Sequence, residues 1–366
     1  MQTITEQSAR RRNQVIRYLD RKLIMLAPGE AMPSVRQIMS DCGVSQLVVE
    51  RAVGTLRDAG LVEASPRRGL FKSRHAIGMR DLASTVDIIH CATGNPPWQD
   101  RHDFTGELIY AISECCGQRG QSIRVTMVER DGSDEQYEQL LERADVKACI
   151  LFQPSRNDLI ERVFDPHHVP AVNLMPRNAE LPRCSVVVDA QHGVAMQLEH
   201  LWSLGHRRIG FLDRLAPGKY MRTFALRREH FYRMMAEKGL KVSPTWVPYA
   251  GRTSADVSKA VEAMLNDPER PTAIIAGDTH LVAVYQTLAR LGYWVGENFS
   301  VIGTDDLPVA AMMHPPTTTL RHSRKDLANM AVSLLERRLT GQEADQVQAL
   351  QTKLVVRAST CSIDPS

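Results

Sequence analysis

From residue 86 onward, short apolar runs alternate with helical stretches, and this alternation restricts the fold more than any other feature of the chain. The runs at 86–91, 123–128, 148–152, 171–174, 185–188, 208–212, 273–276 and 300–303 are too short for helices and mostly apolar. That is the pattern of strands buried on both faces. Helical stretches fill the intervals at about 104–119, 134–144, 156–163, 190–204, 223–239, 254–267 and 279–291, and a last one follows at 324–340. Strand–helix alternation implies parallel sheets covered by helices. The stretch is too long for one such sheet, so two lobes are expected. No internal repeat interrupts it.

The first 75 residues follow another pattern. Val15, Ile16, Leu19, Leu23 and Leu26 give a helical period with a basic opposite face, ended by Pro28-Gly29. Ser34, in Pro33-Ser34-Val35-Arg36, is placed to cap a short helix to about Cys42. Gly43 makes a turn, and Ser45 is placed to cap a second helix to about Ala59. Val48, Val49, Ala52, Val53 and Leu56 form its apolar face and leave Gln46, Leu47, Glu50 and Arg51 outside. Two strands follow at 61–64 and 70–73, joined by the basic turn Pro66-Arg67-Arg68-Gly69. Two helices on a glycine turn followed by a hairpin make a winged helix-turn-helix.

Charge agrees with this division. Residues 1–75 hold 13 Lys and Arg against 7 Asp and Glu, a net of +6, whereas the whole chain carries +3. A basic head on a mildly acidic body suggests a polyanion at one end only. The second helix would enter the major groove of duplex DNA. There Gln46 suits adenine, Glu50 a cytosine amino group, Leu47 a thymine methyl, and Arg51 a guanine or a phosphate. Ser45, Arg36, Arg67 and Arg68 complete the expected DNA-binding set, the arginines on phosphates.

The head resembles the GntR-type winged helix in Pro28-Gly29, Pro33-Ser34-Val35-Arg36, Gly43-Val44-Ser45, Arg51-Ala52, Leu56, Gly60-Leu61 and Gly69. It departs from that family at Gln46 and Glu50, where the family usually has basic residues, so the family's contacts do not carry over there. The body is similar to the effector domain of the LacI/GalR family in Asp189 with Gly193, Leu201–Ile209, Pro271–Asp278, Val301–Asp306, Pro315–Leu320 and Leu354–Thr360. The resemblance implies two periplasmic-binding-protein-like lobes around a ligand cleft. The expected fold class is therefore α/β: an N-terminal winged helix-turn-helix (1–75), a linker (76–84) and a two-lobed effector and dimerisation domain (85–366). The family's short hinge helix is not evident in 76–84.

In open α/β sheets, ligands bind at the carboxyl ends of strands. Asp278 sits at such an end, where it would accept ligand hydroxyls or cap the following helix. Arg227 falls where the resemblance implies a ligand arginine, with a solvated helix face as the other reading; His230 stands where the family has Gly, which would crowd the cleft. His322, Asp189 and Gln153 are further ligand candidates, with Ser155 a weaker one. Asn95 and Trp98 would roof the cleft, Trp98 stacking on a sugar face or simply packing. Asp305, Asp306 and His206 read as structural.

The resulting expectation is a ligand-responsive transcription regulator, a repressor by family habit. It would act as a homodimer on operator DNA, take a sugar or sugar derivative as effector, and have no cofactor or metal. The alternative is a helix-turn-helix-fused enzyme acting on a small polar metabolite. No Gly-rich phosphate loop, HExxH or GxSxG supports catalysis. Seven cysteines without paired spacing suggest a reducing compartment. With no apolar leader at the start and no membrane-length apolar run, the cytoplasm is expected and a secreted binding protein is disfavoured. No leucine heptads follow Gly341, so no coiled-coil tetramer is expected.

Overall fold

The computed structural model describes residues 4–65, 69–73, 85–91, 104–129, 132–143, 145–212, 222–251, 253–342, 344 and 346–363. The expected linker at 76–84, Arg67 and Arg68 of the wing turn, and Asn95 and Trp98 of the cleft roof lie outside the described residues.

The head comprises α1 (Ile4–Met25), α2 (Val35–Cys42), α3 (Gln46–Asp58) and the antiparallel pair β1 (Val62–Ser65) and β2 (Gly69–Lys72). The Ser34 hydroxyl accepts from the Gln37 amide, and Gln37 accepts from the Ser34 amide in return, a reciprocal cap. Gly43 ends α2 at φ 61°, a left-handed conformation that costs glycine little. Ser45 holds the N-cap position of α3 but makes no side-chain cap bond, against expectation. The turn is closed by the backbone instead, the Val48 amide donating to the Ser45 carbonyl at 3.1 Å. Val15, Leu19, Ile38, Val49, Ala52 and Leu56 form the core of the head. Lys72 is turned inward: its Nζ donates to the Leu23 and Leu26 carbonyls at 2.8 Å each, closing the C-terminal end of α1.

The body begins with β3 (Thr85–Cys91), α4 (Phe104–Gln118), β4 (Ser122–Val128), α5 (Asp134–Leu141) and β5 (Cys149–Phe152). A π-helix (Ile160–Phe164), β6 (Ala171–Leu174), β7 (Ser185–Val188), α6 (Ala190–Ser203), β8 (Ile209–Leu212), α7 (Arg222–Glu237) and α8 (Ser254–Leu265) follow. The chain continues through β9 (Ala273–Ala276), α9 (Leu281–Arg290), β10 (Ser300–Asp305), α10 (Pro308–Met312), β11 (Thr318–Arg321), α11 (Arg324–Leu339), β12 (Val347–Leu350) and β13 (Lys353–Val355).

The eight expected strands are present, and β11, β12 and β13 add to them. The helix expected at 156–163 is the short π-helix, which starts later. Two sheets form two lobes. The first has the order β12-β7-β6-β5-β3-β4, all parallel; the second has β13-β11-β10-β9-β8, parallel except for β13. Buried Val, Ile and Leu of β3, β5, β6 and β7 pack with α4 and with Leu327, Ala331, Leu334 and Leu335 of α11. The second sheet is covered on one side by α8 and α9 and on the other by α6 and α7.

The chain crosses between lobes after β7, again between β11 and α11, and finally between β12 and β13. Neither lobe is therefore continuous in sequence. Among the described residues, no helix is long and apolar enough to cross a membrane.

Candidate functional site

On the head, Ser45, Gln46, Leu47, Glu50 and Arg51 are exposed, and Arg36 is exposed on α2. Leu47 keeps 56% of its surface, unusual for a leucine beside a packed core. The helix follows the heptad logic of its sequence: Val48, Val49, Ala52 and Leu56 are buried, which forces the other positions outward. Gln46 Nε2 donates to Glu50 Oε1 at 2.8 Å. One amide hydrogen of Gln46 is thus taken, and the pair presents mainly acceptors to a groove. A carboxylate beside phosphates is unfavourable. Glu50→Gln is expected to tighten binding to a random duplex about two- to tenfold, read by fluorescence anisotropy at fixed salt; unchanged or weaker binding would mean that Glu50 points away from DNA.

The basic surplus of the head is partly spent within the protein. Arg10 pairs with Glu138 at 2.6 Å, Arg17 is buried against the first lobe, and Lys72 closes α1. These cations do not add to the DNA face, and the charge count of the head overstates it.

In the second lobe three of the expected ligand residues, Asp278, Arg227 and His322, gather around the carboxyl end of β10. Asp278 is 1% exposed. Its Oδ1 accepts from the Thr304 amide at 2.6 Å and the Thr319 hydroxyl at 2.9 Å, and its Oδ2 accepts from the Leu307 amide at 2.8 Å. The carboxyl therefore ties the ends of β9, β10 and β11 together. It does not cap the helix that follows it. Burial, and next the nearby Asp305, push it up to about 8.

Arg227, buried on α7, donates from Nη2 to Thr304 Oγ1 at 2.7 Å and lies 5.4 Å above the Phe211 ring. Gln197 Nε2 donates to the same hydroxyl at 3.1 Å and to the Gly303 carbonyl at 2.8 Å. Thr304 is therefore a hub joining α6, α7 and β9, and sequence reasoning gave no signal for it or for Gln197.

His322 lies on the crossing between β11 and α11. It is 5% exposed, with Nε2 3.5 Å from Asp305 Oδ1 and its ring edge-on to Phe104 of the first lobe at 6.1 Å. Its Nδ1 is buried and has no hydrogen-bond partner among the described residues. Burial pulls the imidazole down to about 4, so the ring is neutral at neutral pH and offers one donor and one acceptor. Arg324 anchors this crossing, donating to the His322 carbonyl at 3.0 Å and pairing with Glu107 at 2.9 Å.

Asp305 has φ 101°, a conformation that costs a non-glycine residue energy. Asp306 is held by Arg321 at 2.6 Å and Arg357 at 2.7 Å. Asp189 is half-buried and caps α6, accepting from the His192 amide at 3.0 Å. Gln153 is half-buried at the end of β5 with φ 54°, and His230 accepts from Arg233 at 2.6 Å one turn beyond Arg227. His206 lies away from this group, tied to Thr272 and Ser300 at 2.8 Å each. The lobes touch where α7 begins: Arg222 donates from its amide to the Arg177 carbonyl at 2.8 Å and from Nε to the Ala179 carbonyl at 3.1 Å.

This arrangement can hold a small polar molecule through directional hydrogen bonds at a junction of the two lobes. Among the described residues, no cluster of His, Cys, Asp and Glu suits a metal ion.

Comparison with known proteins agrees with both halves. Residues 11–71 match the family model of bacterial regulatory proteins, gntR family, and residues 198–360 match the periplasmic binding protein-like domain. The HTH-type transcriptional repressor PurR of Aliivibrio salmonicida is 24% identical over 267 residues, covering 71% of this chain and 79% of that protein. The ribose operon repressor of Escherichia coli K12 is 26% identical over 334 residues, covering 86% of this chain and 90% of that protein. A crystal structure of a LacI transcriptional regulator from a Rhodococcus species superposes with a TM-score of 0.62 at 25% identity, covering 76% of this chain and 98% of that one. The chain thus joins a head that matches the gntR-family model to a body whose residues 198–360 match the periplasmic binding protein-like domain, and that body is similar to LacI-type regulators.

Proposed function

We propose that the protein is a cytoplasmic, homodimeric transcription repressor whose affinity for operator DNA changes when a sugar or sugar derivative binds between its lobes. Residues 1–75 read DNA, 76–84 link, and 85–366 bind the effector and dimerise. The observation that carries the ligand half is the ring of polar groups at the end of β10. Arg227 and Asp305 flank this ring, and His322 brings to it a buried Nδ1 that no atom of the described residues satisfies. A buried polar atom of this kind is costly unless something bonds to it. A ligand hydroxyl, which donates and accepts at once, suits the neutral imidazole, the guanidinium and the carboxylate together. Gln153, Asp189, Asn95 and Trp98 would complete the contacts, and the ribose operon repressor among the relatives supports the sugar class. The DNA half is carried by the exposed row Ser45, Gln46, Leu47, Glu50 and Arg51, with Arg36, Arg67 and Arg68 on phosphates. Nothing favours the enzyme reading, since the relatives are transcriptional repressors.

A thermal-shift screen of sugars, sugar phosphates and nucleosides tests the ligand. The expected outcome is a stabilising sugar whose shift disappears in His322→Ala. Asp278→Ala is a poor discriminator, because that carboxyl holds three protein hydrogen bonds of its own. A nucleoside hit that depends on His322 would keep the site and overturn the sugar. Duplex binding that falls by about tenfold or more between about 50 and 300 mM salt is expected of the head; salt-independent binding would remove the regulator reading.

A further inference from the structure

The described contacts include a second face of α1, directed away from the core of the head and into the first lobe. Arg10, Asn13, Gln14, Arg17 and Asp20 fall at helical spacings of three and four, on one stripe. Asn13 Nδ2 donates to the Glu142 carbonyl at 2.7 Å, and Gln14 Nε2 to the Pro166 carbonyl at 3.0 Å. Arg17 donates from Nε to the His167 carbonyl at 2.9 Å and from Nη1 to the Leu141 carbonyl at 2.6 Å. Lys147 pairs with Asp20, and the Tyr18 ring meets His168 edge-on at 5.0 Å. The receiving residues follow α5 or the π-helix and precede β5 or β6. In a parallel sheet that is the end opposite the ligand edge of this lobe.

Two features make this a mount and not an incidental touch. Arg17 and Asp20 are 2% and 4% exposed, and groups so charged stay buried only in a fixed geometry. The contact also leaves the reading side of α3 open, since Gln46, Leu47, Glu50 and Arg51 remain exposed. The head can therefore hold DNA and the first lobe together.

We propose that α1 fixes the head as a rigid extension of the first lobe, and that Arg17, Asp20 and Lys147 thereby set the half-site spacing that two copies of this chain accept on DNA. A freely tethered head would tolerate many spacings; a mounted one places each reading helix at a distance dictated by the body. The proposal rests on the regulator reading and adds a determinant of operator architecture that no base-contacting residue supplies.

Selection of full-length protein against randomised duplexes tests it. Wild type should enrich paired half-sites at one separation, whereas Lys147→Glu and Arg17→Met should enrich the same half-site over a spread of separations, losing about tenfold discrimination between the best spacing and its neighbours. The paired exchange Asp20→Lys with Lys147→Asp should narrow the spread again. Hydrogen exchange on the intact variants should show faster exchange at 141–147 and 165–168, with β3 still protected. A wild type that accepts many spacings, or variants that keep a single one, overturns the mount. A wild type that enriches no sequence overturns the regulator reading beneath it.

Discussion

Replacement of Asp278 by Ala is expected to cost about 3–5 kcal/mol of stability, because it strands two buried amides, those of Thr304 and Leu307, at roughly 1–3 kcal/mol each. The same carboxyl gives the protein an unusual pH response. Its ordinary value is 3.8, and burial followed by Asp305 raises it to about 8 in the folded protein. The folded state therefore holds this proton more tightly than the unfolded chain does. The stability from this group is fully present below about pH 4 and is lost as pH rises toward 8. Urea unfolding at pH 5 and pH 9 should show wild type losing about 2–4 kcal/mol from this source, and Asp278→Asn should lack that loss. Equal pH slopes in the two proteins would mean that the carboxyl ionises normally in the fold.

Gly303→Ala is the second substitution with a large expected effect. A Cβ at this position would lie 2.1 Å from Asp278 Oδ1 and 2.7 Å from Thr319 Oγ1. Neither neighbour can retreat, since each is buried and bonded to the other. The backbone of β10 would have to shift, and overpacking of this kind costs about 1–3 kcal/mol or more. The shift would also move Thr304 and with it the hydroxyl that holds Arg227. Effector binding should fall together with the melting temperature, whereas duplex binding by the head should persist. Calorimetric melting, titration with a screened ligand and an anisotropy assay on DNA separate these effects; a variant with wild-type melting would show that this part of β10 is looser than its contacts imply.

The strands that the sequence revealed are those buried on both faces, such as β3, β5 and β6, whose apolar runs leave few alternatives. β11 was hidden because its threonines are buried through distant partners: the Thr318 amide donates to Ser359 Oγ, Thr318 Oγ1 accepts from the Arg357 amide, and Thr319 binds Asp278. β12 was hidden because it is a half-exposed edge with polar residues. The same limit applies at the site. Its place at a strand end pointed to Asp278, and resemblance to Arg227 and His322, but nothing local marks Thr304 or Gln197, whose roles exist only when α6, α7 and β10 meet. The polar stripe of α1 reads as a solvated face until the first lobe supplies the carbonyls that it binds.

The repeated crossing between lobes has a consequence for synthesis. The first lobe needs α11 and β12, and the second needs β13 and the segment beyond it, where the Cys361 amide donates to Ser300 Oγ and the Ile363 amide to the Leu204 carbonyl. The first lobe cannot close before β12 has left the ribosome, nor the second before the segment that follows β13 has. The head needs only residues 4–73 for its own core, so it can finish first. A nascent chain stalled at any point in the body would then carry a complete DNA-reading surface with no finished sensor behind it.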